Sequence, residues 1–223
     1  MIRQILIIIL LVFFLNPAAR SYGASGPDQV RLKTSLALAP RDAVAVDFTF
    51  ENRFDDFTLF DEHYLTAYYL TGTYRISPSW YGALGLRRQD TELATFTSHE
   101  NRVYLQGGRK QRFGERLALD ARLRIEYRSY EQDALDDYFR FRLRFKLDVK
   151  TGFGNMRLTP YISDELFADD QAGRREFLNR SRTLAGVVFA AGSRIGFEVS
   201  FMLEHNKDTR PLTALVAGVR IRP

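Results

Sequence analysis

The sequence predicts an all-β protein, a closed up-and-down antiparallel transmembrane β-barrel of ten to twelve strands with twelve preferred. Three observations carry that prediction. The chain opens with an apolar export signal. Long segments downstream alternate strictly between apolar and charged residues. Aromatic residues gather at the ends of those segments, as in Phe54, Tyr64, Tyr74, Trp80, Tyr127, Tyr130 and Tyr138, where a membrane barrel carries its interfacial girdles.

The signal comes first. Arg3 precedes an unbroken apolar run from Ile5 to Leu15, and "NPAARSYGAS" follows with small residues and helix breakers. That order matches the n-region, h-region and cleavage zone of a secretory signal peptide. Eleven apolar residues are too few for a spanning helix, which needs about 20. Cleavage is expected after Gly23, Ala24 or Ser25. Residues 1–24 are therefore assigned to a cleaved signal and 25–223 to one barrel domain. Losing Arg3 and Arg20 lowers the formal net charge from +5 to +3.

The rest of the chain reads as eleven strands. The clearest are Leu117 to Arg128, "LALDARLRIEYR", and Phe139 to Lys150, "FRFRLRFKLDVK". A two-residue period places alternate side chains on opposite faces of a strand. Soluble strands average about 5 to 6 residues, whereas a tilted membrane strand needs about 9 to 11. These two exceed both, and their apolar faces are bulky from end to end. The other nine begin near Gln29, Ala43, His63, Trp80, Asn101, Arg157, Phe177, Ile195 and Leu212. Short connections near Pro40, Pro78, Phe113, Gly152 and Gly192 alternate with longer acidic ones, such as "YEQDALDD", as periplasmic turns alternate with external loops. Single-chain bacterial barrels normally have an even strand number. A short strand before Gln29 would supply the twelfth. Pro160 has no N–H for the ladder, so a bulge or strand end is expected there.

With lipid outside, the charged face must line the lumen. The candidate lumen residues are Asp120, Arg122, Arg124, Glu126, Arg128, Arg140, Arg142, Arg144, Lys146, Asp148, Glu165, Arg180 and Arg182. Arg116, Lys150, Asp47, Glu51, Arg53, Arg102, Arg157, Arg194, Glu198 and Arg220 are expected to join them. Pairing Arg128 with Arg142 would also set Glu126 by Arg144, Arg122 by Asp148 and Asp120 by Lys150. Arginine suits such a network because its planar fork reaches several carboxylates.

Several functional classes drop out. Basic residues are dispersed along many strands, unlike the single patch of a nucleic-acid protein. With no cysteine and three histidines, neither a disulfide scaffold nor a metal site is expected, and no cofactor is implied. The expected location is the bacterial outer membrane, as a monomer. The expected partners are the lipid bilayer, the barrel-assembly machinery during insertion, and small anionic solutes. Three functions fit: a structural or narrow gated barrel with an Arg-rich, salt-bridged lumen; an anion-preferring channel for small acidic solutes; and an outer-membrane lipid hydrolase. The last would need a nucleophile beside a histidine base. In "TSHEN" (Thr97 to Asn101), Ser98, His99 and Glu100 are successive, so their side chains point to opposite faces. No catalytic residue is assigned, and the protein is not read as an enzyme.

"RLRIEYR" (Arg122 to Arg128), "FRFRLRFKL" (Phe139 to Leu147), "PYISDELF" (Pro160 to Phe167), "NRSRTLAG" (Asn179 to Gly186) and "SHENRVYLQ" (Ser98 to Gln106) resemble, in order and spacing, a bacterial family catalogued as domain of unknown function twenty-four-ninety. The resemblance covers Gln29 to Arg222. It implies an outer-membrane barrel and brings no activity or catalytic residues. The chain closes on "RIRP", where barrel proteins commonly present an aromatic residue; two expectations follow, that Ile221 stands in or that the final strand is recognised differently.

Overall fold

The computed structural model describes residues 28–222 apart from 39–42, 56–62, 133–134, 154–155, 171–177 and 208. The expected signal peptide and the expected short strand before Gln29 lie outside the described residues. The elements in chain order are β1 (Gln29–Ala37), β2 (Val44–Phe54), β3 (His63–Arg75), β4 (Trp80–Glu92), β5 (Thr97–Phe113), β6 (Leu117–Tyr130), β7 (Tyr138–Val149), β8 (Thr151–Phe153), β9 (Met156–Asp170), β10 (Leu178–Ala191), β11 (Ile195–Asn206) and β12 (Leu212–Ile221). Sequential strands pair antiparallel, β7 passes to β9, and β12 returns to β1. The sheet closes into a barrel.

The three-residue β8 continues β7. Asp148 faces Tyr161 and Thr151 faces Leu158, so the register against β9 runs through unchanged. The ladder is interrupted between those pairs, opposite Pro160, whose missing N–H cannot serve a neighbour. Eleven long strands therefore span the described barrel. The parity-based preference for twelve is not met, because an odd count can close if the first and last strands run the same way. Here β1 and β12 are parallel, from Gln29 opposite Ala214 to Leu36 opposite Ile221. Side chains staple this seam at both ends. Asp28 accepts from the Thr213 backbone N–H at 2.7 Å and from Arg210 at 3.2 Å. At the other end, Arg220 reaches across β1 to Asp47 at 2.6 Å.

The faces divide as lipid demands. Leu84 (58% exposed) and Leu105 (62%) point outward, with Leu123, Phe139, Phe145 and Phe197. The alternate set is enclosed, as at Glu126 (1%) and Glu165 (3%). Closure leaves the sheet without an open edge, the condition for strands in a medium lacking water. Two places interrupt the apolar exterior. Asp164, midway along β9, faces outward beside Phe145 and accepts from the Thr183 hydroxyl at 3.0 Å. At the long-loop end, Arg88, Asp90, His99, Asn101 and Glu131 form a polar cluster. There the His99 Nδ1 lies 2.7 Å from Asp90, and Arg88 pairs with Glu131.

The β6–β7 register corrects the expected pairing. Arg128 faces Tyr138, four residues from Arg142, and the opposite-charge pairs are Glu126–Arg140 and Asp120–Lys146. Arg124 stands beside Arg142, and Arg122 beside Arg144. An even shift preserves which face each residue takes, so the exterior is untouched. The expected register maximised charge pairing between two adjacent strands. On the concave inner face, side chains instead reach over a neighbouring strand, and carboxylates of β9 serve cations of β6.

Candidate functional site: an arginine-lined lumen

The interior holds a cavity of about 520 Å³. Among the described residues, fourteen arginines and lysines line it against four carboxylates, Glu51, Glu165, Glu198 and Glu204. Five further carboxylates sit behind the wall, each paired with one of the lining cations: Glu100, Asp120, Glu126, Asp148 and Asp169. Five positive charges remain in excess. An apolar patch of Met202, Ala214 and Val216, packed with Leu184 and Leu212, lies among the charged groups of β10 to β12.

Along the wall from β5 to β10 all thirteen candidate lumen residues make ion pairs: eight join one network through Glu100, Glu126, Glu165 and Glu204, and Arg140, Asp120, Arg144, Lys146 and Asp148 sit in separate pairs beside it. Glu165 accepts from Arg122 and Arg142, each at 2.7 Å, and lies 3.7 Å from Arg182. Glu126 accepts from Arg142 at 2.7 Å and Arg124 at 3.2 Å. Arg140 forks onto Asp169 at 2.5 and 2.7 Å, the bidentate geometry that favours arginine over lysine. Arg144 meets Asp120 at 3.0 Å, Lys146 meets Asp148 at 3.1 Å, and Arg180 and Arg182 both bond Glu204. Arg128 binds both oxygens of Glu100, which Arg102 shares.

Aromatic rings hold these cations apart. Phe167 has Arg140, Arg142, Arg180 and Arg182 within 4.7 to 5.7 Å of its ring centre. The face of an aromatic ring attracts cations, so Phe167 spaces four like charges. Arg124 lies 4.1 Å over Tyr104, whose hydroxyl bonds Thr71. Glycines make room for such rings. A Cβ on Gly85 would overlap the Tyr104 ring, and one on Gly108 would overlap Tyr81, whose hydroxyl donates to Asp120.

The wall from β1 to β4 is built differently. Glu51 accepts from Arg53 at 2.7 Å and the Tyr69 hydroxyl at 2.6 Å, with Lys33 at 3.9 Å. Arg31 donates to Gln29 at 3.0 Å, and Arg87 donates to Gln89 while lying 4.5 Å over the Tyr69 ring. A second cavity, of about 820 Å³, lies at the short-turn end and includes Arg75, Trp80, Lys110, Arg112 and Arg220 in its lining.

Of the residues expected to join the lumen, Arg116 and Arg194 are exposed in turns, and Lys150 and Arg157 are exposed beside the strand break. Arg31, Arg87, Glu100, Asp169, Glu204, Tyr69, Tyr104 and Phe167 are lumen residues that the sequence reading missed. The inner aromatics gave no signal, because an aromatic residue in an alternating strand reads as lipid-facing. Ser98 is buried while His99 pairs with Asp90 on the outer face, so "TSHEN" does not assemble a triad. His63, His99 and His205 all lie at the long-loop end, His63 beside Asn52 and Thr66 and His205 opposite Ser181. Among the described residues, no three His, Asp or Glu side chains form a cluster able to hold a metal ion.

Residues 30–213 match the family described as Protein of unknown function (DUF2490). The chain belongs to this family. No curated protein matches the chain. Among solved structures, LpxR from Salmonella typhimurium is similar, with a TM-score of 0.53 at 9% identity over 92% of this chain and 90% of that one. The beta domain of the Bordetella autotransporter BrkA has a TM-score of 0.49 at 12% identity over 80% of this chain and 82% of that one. At such identities the likeness to LpxR speaks to the fold alone. It agrees with an outer-membrane-type barrel as the architecture of this DUF2490 member.

Proposed function

We propose that the protein is a narrow, gated outer-membrane barrel whose cationic lumen admits small anions, with the β5–β10 ion-pair network holding it closed at rest. The observation that carries this reading is the charge imbalance around the 520 Å³ cavity, fourteen lining cations against four lining carboxylates and the five further carboxylates paired with them. Rings of arginine and lysine select anions in pores, and walls of one charge sign raise the local concentration of counter-ions. Eight strands leave an interior just filled by side chains, and 16 to 18 leave an aqueous channel; eleven is intermediate, consistent with gating by side chains. The apolar exterior and the export signal support an outer-membrane location. They also support lipid and the barrel-assembly machinery as partners, and a monomer suffices for a ring that closes on itself.

Planar-bilayer recording of refolded protein tests this. The expected result is small, intermittent current with an anion-biased reversal potential that falls on Arg142→Glu. Cation-biased current would overturn it. Silence under all voltages and salts would leave a purely structural barrel.

A further inference from the structure

A charged residue and its partner two positions along the same strand form a recurring unit in this lumen. Arg53 pairs with Glu51 at 2.7 Å, Arg102 with Glu100, Arg124 with Glu126 at 3.2 Å, and Lys146 with Asp148 at 3.1 Å. The same unit occurs twice on the β1–β4 wall with the carboxylate replaced by an amide. Arg31 Nη2 donates to Gln29 Oε1, and Arg87 Nη2 donates to Gln89 Oε1. Arg102 also donates to Gln89 Oε1, at 3.0 Å. Glutamine copies the shape of glutamate and the accepting oxygen, and it omits the charge.

The two arginines are consequently left without an ion-pair partner on their own strands. Arg31 is 4% exposed and Arg87 8%, and both line the cavity. Among the described residues neither forms an ion pair, whereas Arg122 and Arg144, whose buried Nε atoms likewise have no hydrogen-bond partner, pair with Glu165 and Asp120. Glu51, the one carboxylate that β1 to β4 contribute to the cavity lining, is occupied by Arg53, Tyr69 and Lys33. A buried cation without a counter-charge is costly, and a guanidinium fork with free donors matches a carboxylate or phosphate group.

We propose that Arg31 and Arg87, on either side of Glu51, form a binding subsite on the β1–β4 wall for a small oxyanion, either a carboxylate or a phosphate group. The Gln29 and Gln89 amides orient the two forks without neutralising them, so the ligand supplies the missing charge. This subsite rests on the reading of the lumen as anion-admitting, and it names the group admitted.

The test is titration calorimetry on the folded barrel in detergent micelles, at constant ionic strength, with inorganic phosphate and acetate in separate runs. Phosphate and acetate together tell which oxyanion the forks prefer. Saturable binding is expected, weakened at least tenfold by Arg87→Gln and by Arg31→Gln and unchanged by Arg112→Gln in the short-turn cavity. Gln89→Glu keeps both arginines and gives Arg87 and Arg102 a resident carboxylate, whereas Gln29 stays as it is because its amide donates to Asp55 at 3.3 Å. It should weaken binding at least tenfold without lowering the unfolding temperature, so lost binding there cannot come from a broken fold. Unweakened binding in Gln89→Glu and in Arg87→Gln would overturn the subsite, as would no saturable binding of either anion by the unaltered protein while its current stays anion-biased. Cation-biased current with binding intact would instead remove the conduction reading and leave the subsite standing.

Discussion

The two walls of the lumen use one residue type under opposite conditions. From β5 to β10, arginines are enclosed by carboxylates: Arg142 bonds Glu126 and Glu165, and Arg140 forks onto Asp169. From β1 to β4, Arg31 and Arg87 are as deeply buried but hydrogen-bond to amides, with Arg87 also over the Tyr69 ring, and neither makes an ion pair. An arginine in a compensated network is a structural tie, and its removal strands the charges around it. An uncompensated arginine is a liability to the empty fold and an opportunity for a ligand. Burial alone therefore does not tell a structural arginine from a binding one; the charge of its nearest partner does.

The comparison breaks most readily by removing one arginine from each wall. Arg142→Gln leaves Glu126 and Glu165 short of a partner, and breaking a buried pair typically costs about 3–5 kcal/mol. Arg87→Gln removes an uncompensated charge and should alter stability by no more than about 1 kcal/mol, in either direction. Urea-unfolding midpoints in lipid vesicles report both; equal losses at the two sites would erase the distinction between the walls.

The next largest effect probes the packing that joins the walls. Gly85→Ala forces Tyr104 off its seat and away from Arg124 and Thr71. Overpacking costs about 1–3 kcal/mol, and the heat-induced gel shift of the folded barrel should occur at lower temperature. An unshifted transition would mean that the Tyr104 ring is not held against the wall.

A smaller effect lies outside the lumen. Asp164 is a carboxylate set among lipid-facing Phe145, Ile162 and Leu166. Charged residues on a barrel's lipid face are destabilising, carboxylates less so than arginine or lysine. Asp164→Leu should stabilise the barrel by up to about 2 kcal/mol, read from the same urea midpoints. Destabilisation would show that this side chain serves a partner within the bilayer.

The smallest effect concerns the loop between β6 and β7, where charges meet water. The Arg88 guanidinium holds the Glu131 carboxyl below its usual 4.5, and the Tyr127 hydroxyl together with the Tyr130 N–H holds Asp137 below its usual 3.8. Folding lowers both values, so their contribution is complete above the unfolded-state values and fades as pH falls through the folded ones. Amide exchange in residues 130–137 should accelerate below about pH 4, after correction for intrinsic rates, and stay flat from pH 5 to 8.

Much of the architecture was legible because lipid permits so little. Alternation in Leu117 to Arg128 and Phe139 to Lys150 marks strands with two unlike faces, and their length and bulky apolar side favour acyl chains over a soluble core; all eleven strands read from the sequence are present. The ends of β4 and β5 were underestimated, since Arg88, Asp90, His99 and Asn101 put polar groups on the outer face and break the pattern. Parallel closure was not legible, because it follows from the parity of the whole ring and from no local residue. The β6–β7 register depends on Glu165, a third-strand residue that two-strand reasoning cannot weigh. For the site, Arg142 and Glu165 announced themselves by alternation. Arg87 did not, since Arg87 and Arg88 are adjacent and only the fold says which turns inward.

The measurement that bears most directly on the account is a scan of single cysteines along β7 in lipid vesicles, possible because the native chain has no cysteine. Fluorophores at Phe141→Cys, Leu143→Cys and Phe145→Cys should be quenched by lipid-borne quenchers and shielded from aqueous reagents. Arg144→Cys and Lys146→Cys should show the reverse. The opposite phase, with the phenylalanine positions shielded from lipid and the basic positions quenched by it, would contradict the account.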